Sequence, residues 1–123
     1  MRYLAILLLL AGLLAGCSGS DPGTQPVELP KRDPYVVGVI TQIEGGRILV
    51  ESDPGRQEGN KCWFAVEKTT LVVLQEKDSL TKVSSAALKT GQTVKAWERG
   101  PILESYPCQT GGEAILVTGT VGP

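Results

Sequence analysis

The sequence contains no histidine, one methionine and three cysteines, and aromatic residues fill only 5% of its 123 positions. Without histidine there is no imidazole for acid–base work or a nucleophile–His–acid triad, and no His-ligated metal site. Charge of one sign is also missing: 12 Lys and Arg stand against 13 Asp and Glu. That balance gives no electrostatic reason to expect a nucleic-acid partner. Neither a Gly-rich phosphate loop nor a calcium-loop pattern occurs. The length excludes a multidomain enzyme and fits one small domain with appendages.

What is present begins with an export signature. Arg2, an apolar run from Leu4 to Leu14 and the small residues Ala15 and Gly16 read as a signal peptide over residues 1–16. About eleven apolar residues of helix cover roughly half of a ~30 Å hydrocarbon core, too little to remain as a span. The segment ends in Leu14-Ala15-Gly16-Cys17, which resembles the bacterial lipobox, and this resemblance implies that Cys17 becomes a lipidated N-terminus. Loss of Arg2 takes the net charge from −1 to −2. Ser18 rather than Asp after the cysteine resembles the outer-membrane default of a two-membrane cell. Residues 17–34 then carry Pro22, Pro26, Pro30 and Pro34 without apolar periodicity and read as a tether, in which only Val27 and Leu29 suggest packing on the domain.

The domain is expected over residues 35–123. Tyr35–Ile43 is dense in β-branched residues, Glu44-Gly45-Gly46 supplies a tight turn, and Arg47–Glu51 resumes the pattern, which predicts a hairpin. Gly38 inside the first strand predicts a bend or bulge. Cys62–Val66 reads as a third strand, with Thr70–Leu74 as a continuation. Between Asp78 and Thr90 Ser, Ala, Leu and Lys predict one or two helical turns, capped by Ser84 or Ser85 and ended at Gly91. Thr93–Glu98 and Glu113–Gly119 complete five strands around a fourteen-residue loop, Arg99–Gly112. The order β-β-β-α-β-β is that of a mainly β, OB-like Greek-key barrel, with a small open sheet carrying one helix as the alternative.

Gly38-Val39-Ile40, Gly46–Val50, Leu88–Trp97 and above all Gly100-Pro101-Ile102-Leu103-Glu104-Ser105-Tyr106-Pro107 resemble the YobA-like domain of unknown function found in bacterial secreted lipoproteins. The resemblance covers roughly Tyr35 to Thr118 and implies localisation and fold, with no reaction and no cofactor. It departs from the family pattern at Cys108, where a small residue usually follows the Tyr-Pro.

Several constellations imitate chemistry. Ser79-Leu80-Thr81-Lys82 and Lys89-Thr90-Gly91 match S-x-x-K and K-T-G, but only seven residues apart and without the context those motifs need. Glu98, Glu104 and Glu113 flank one loop and read as a solvated rim rather than an acid–base pair. Trp63 and Phe64 are neighbours on a strand, so one ring faces outward. The outward ring is expected to be covered by the Ser52–Asn60 loop or by the Arg99–Gly112 loop; left open, it would form the candidate ligand-binding set with Trp97 and the loop residues Arg99, Glu104, Ser105 and Tyr106. A loop of that length is usually functional, and its prolines argue for order, with Tyr106 as a packed anchor.

Cys62 and Cys108 are expected to pair. Lipidation consumes Cys17, an extracytoplasmic compartment lets a disulfide persist, and strands three and five of such a barrel run side by side. The sequence therefore predicts a non-enzymatic, lipid-anchored extracytoplasmic protein with no metal or cofactor. Its binding partner would be an envelope protein or a glycan. The competing expectation is a small envelope enzyme or enzyme inhibitor acting through residues 99–112.

Overall fold

The computed structural model describes residues 27–54 and 60–120. The signal segment, Cys17 and the first part of the tether lie outside them. The described residues form seven strands and one 3-10 turn: β1 (Val36–Glu44), β2 (Arg47–Glu51), β3 (Lys61–Ala65), β4 (Leu71–Glu76), β5 (Ser79–Lys82), the turn Ser85–Ala87, β6 (Gln92–Leu103) and β7 (Cys108–Thr120).

The β1–β2 hairpin forms where the sequence places it, with Gly45 at φ 55° and Gly46 at φ 81° supplying the positive torsions that a tight hairpin needs. β1 then pairs with β6, β6 with β7, β2 with β3, and β3 with β7 in parallel, so five strands close on themselves. The fold is a closed five-stranded barrel, not an open sheet. Alternate residues of the wall point inward: Ile40, Ile48, Val50, Phe64, Val94 and Ile115 are all buried in one core. Gly38 serves the closure by allowing close approach, since a Cβ there would lie 2.0 Å from the Glu51 carbonyl oxygen. The bulge in β1 falls slightly later, between Ile40 and Gln42.

The segment from Ala65 to Lys82 departs from expectation. Thr70–Leu74 is not a continuation of β3 but opens a separate strand. β3 pairs with the first half of β7 (Cys62 with Cys108, Ala65 with Gly111), and β4 with the second half (Leu71 with Ala114, Leu74 with Val117). The two thus lie in line along one edge of β7, and Thr70 joins them. Its hydroxyl donates to the Gly112 carbonyl at 2.7 Å and accepts from the Glu67 backbone N–H at 2.9 Å. Gly112 is needed for this close approach, because a Cβ there would meet the Ala65 carbonyl oxygen at 2.8 Å.

The predicted helix is reduced to one 3-10 turn. Ser79–Lys82 instead pairs with β4 as β5, after a turn at Lys77 (φ 53°), and takes the residues a helix would need. Ser84 does cap the turn, accepting from the Ala86 N–H at 3.1 Å. Leu88 then enters the core, and the Gly91 N–H bonds the Ile40 carbonyl at 2.8 Å. No helix among the described residues is long and apolar enough to cross a membrane.

Candidate functional site: a strapped groove and a projecting hairpin

β6 and β7 both continue beyond the expected strands, so most of the fourteen-residue loop is an extended hairpin. Register shifts after Trp97 and Arg99, with Gly100 at φ 77°, accommodate Pro101 without breaking the pairing of Leu103 with Gln109. Only Glu104–Pro107 remains as the turn, where the Ser105 hydroxyl donates to the Pro107 carbonyl at 2.7 Å and the Tyr106-Pro107 peptide is cis. Tyr106 is 65% exposed and Leu103 61% exposed. The tyrosine is therefore not the packed anchor the sequence suggests. The hairpin is ordered by its ladder instead, and its tip presents apolar surface. Lys61, at the start of β3, ion-pairs with Glu51 at 3.4 Å and lies 5.8 Å from the Tyr106 ring centroid.

Cys62 and Cys108 are bonded as expected, with Cα atoms 4.4 Å apart. They face each other in register across β3 and β7, the parallel pair that closes the barrel. Next to them the aromatic pair divides: Phe64 is wholly buried inside, while Trp63 faces out and is buried nonetheless, with the Arg47 guanidinium 4.0 Å over its ring. Trp63 thus offers a covered rather than an open ring.

The outer face across β4, β6 and β7 carries a second apolar cluster of Val73, Trp97, Ala114 and Leu116, against which Val27, Leu29 and Leu71 pack. The residues before β1 therefore run along the barrel as a strap. Its polar end is Arg32. The guanidinium contacts Glu98 at 3.0 Å and Glu113 at 2.7 Å, and donates to the Glu98 backbone carbonyl. The Trp97 indole N–H donates to the Arg32 carbonyl at 2.7 Å. Hydrogen bonding to Glu113 and then to Glu98 holds the Arg32 guanidinium above its ordinary pKa.

Between strap and barrel runs an open groove of about 420 Å³, lined among others by Leu29, Lys31, Arg32, Thr69, Arg99 and Glu113. Arg99 is fixed there by bonds to the Thr69 hydroxyl and, at 2.9 Å, to the Thr69 carbonyl. The sequence-derived set is thus divided. Arg99 lines the strapped groove, Trp97 is buried beneath the strap, Glu104, Ser105 and Tyr106 lie at the hairpin tip, and Trp63 lies on the covered face of β3. Sequence reasoning passes over Arg32, Thr69 and Leu103. A lone arginine in a Pro-rich stretch carries no periodicity, and its partners lie 65 and more residues away.

Fold and surface define a class: a small disulfide-closed β-barrel with a strapped outer groove and one projecting hairpin. Within that class the chain belongs to a family described as a protein of unknown function, DUF3221, whose model matches residues 37–118, two-thirds of the chain. Searches of curated proteins and of solved structures found no match.

Proposed function

We propose that this is a lipid-anchored envelope protein whose OB-like barrel is a non-enzymatic binding module, with the β6–β7 hairpin tip as its contact surface. The OB-type reading is supported by the strand order β1-β2-β3-β7-β6 around the barrel, with β3 and β7 parallel. The lipobox at Cys17 and the resemblance to YobA-like domains of secreted lipoproteins support the anchor. One observation carries the binding reading: Leu103 and Tyr106 are presented to solvent on a ladder-braced hairpin. Apolar side chains held in ordered surface positions are what an interaction surface needs. The partner would be an envelope protein or a glycan.

The enzyme reading is weakened by what its carboxylates do. Glu98 and Glu113 are engaged by Arg32, and Glu104 sits at the far end of the hairpin from Glu98, roughly 15–20 Å along extended chain. The test is capture from envelope extract on immobilised lipid-free barrel, wild type against Leu103→Ser/Tyr106→Ala. The reading expects a captured species that the variant loses while its thermal midpoint stays unchanged. Equal capture by both overturns it.

A further inference from the structure

Residues 27–34 fall within what the sequence marks as tether, yet Val27–Arg32 is docked on the barrel by three kinds of contact. Val27 and Leu29 bury apolar surface on the Val73, Trp97, Ala114 and Leu116 cluster. Arg32 bridges Glu98 on β6 and Glu113 on β7. The Trp97 indole N–H fixes the strap backbone. Each is modest in isolation, and together they hold one short segment at both of its ends.

We propose that Val27–Arg32 is a catch that sets how far the barrel stands from the bilayer. The proposal rests on the lipid-anchor reading of Cys17. With the strap docked, about ten residue steps separate Cys17 from the first docked residue, on the order of 35 Å at full extension. With the strap released the chain runs free to Tyr35, about 18 steps and roughly 60 Å. Docking therefore shortens the distance from the membrane at which the barrel and its hairpin tip can meet a partner, and release nearly doubles the length of the spacer. The catch is built to be weak enough to open. Its ion pairs are solvent-exposed at Arg32 and screened by salt, and its apolar residues are only partly buried.

The strap carries its own reporter, since Lys31 and Arg32 are trypsin sites that a docked segment withholds from the protease. The full-length protein is produced in its lipidated form, reconstituted in bilayers and treated with trypsin, and mass spectrometry follows products that begin at Arg32 or Asp33. Wild type is compared with Glu98→Gln/Glu113→Gln, which leaves both cut sites in place, and with Leu29→Ser, which loosens the apolar half. Folding of each variant is checked by near-ultraviolet circular dichroism. The catch requires cutting at least about tenfold slower in wild type than in the variants. It also requires neutron reflectometry to place the variant barrels further from the bilayer. Equal cutting in folded proteins, or equal height, overturns the proposal. A chain found in the soluble fraction before protease overturns the anchor and the reach together. Fast cutting of a membrane-bound wild type overturns the strap alone.

Discussion

A methyl group at position 38 would have to share space with the Glu51 carbonyl oxygen 2.0 Å away, and the obstacle is backbone on both sides. Gly38→Ala is therefore expected to cost about 2–4 kcal/mol, read as a fall in the urea midpoint, because the atoms in the way are the backbone of Glu51 and Ser52 rather than the end of a side chain that could swing aside. The sequence showed a glycine where a strand should have none, and that was enough to mark a special position, though only the closed wall shows which backbone presses on it. Tyr106 teaches the opposite lesson. Tyr-Pro in a long loop suggests a buried anchor, but the pairing of Arg99 with Gly111 and of Leu103 with Gln109 leaves the turn outside the barrel, with Tyr106 65% exposed and Lys61 beside its ring. Tyr106→Ala should change unfolding free energy by no more than ~0.5 kcal/mol in urea titration, so any loss of binding by that variant reports contact rather than folding. Arg32 adds a sign. A guanidinium held above its ordinary pKa contributes fully below that ordinary value and loses its contribution only above the raised one, so alkaline shifts within the biological range leave it charged.

Among the elements, those with strong local patterning were legible: the β1–β2 hairpin from its paired glycines, β3 from Cys62–Ala65, and the hearts of β6 and β7 from alternation. What escaped was decided by distant partners. β5 is four exposed residues with no apolar face to announce it, and its turn uses Lys77 where a sequence reader looks for Gly or Asn. The outer half of the β6–β7 hairpin hides behind two prolines and a glycine that usually mark loops. The strap depends on β6 and β7, which come more than sixty residues later. The disulfide was legible by parity, and its place on the β3–β7 seam gives it an element-scale role. Cys62→Ala/Cys108→Ala should lower stability by about 2–4 kcal/mol, and a reduced wild-type protein should unfold at nearly the same urea concentration as that variant.

At the scale of the whole molecule, the proposed reading puts anchor, strap and barrel in series, with Cys17 as the first link. Cys17→Ser is expected to leave the protein unprocessed or freely soluble, as membrane flotation and N-terminal mass will show; a variant that still floats with membranes refutes the lipid anchor. The last link is β7, which alone touches β6, β3 and β4. A chain made from its N-terminus at about 5–20 residues per second has every other strand available while that wall is still missing. Until Cys108–Thr120 emerges, β3 and β4 have no shared edge, Trp97 lacks Ala114 and Leu116, and Arg32 lacks its second carboxylate. Because β7 comes after the other six strands and supplies the partner of both β3 and β6, the barrel wall closes only once Cys108–Thr120 has been made.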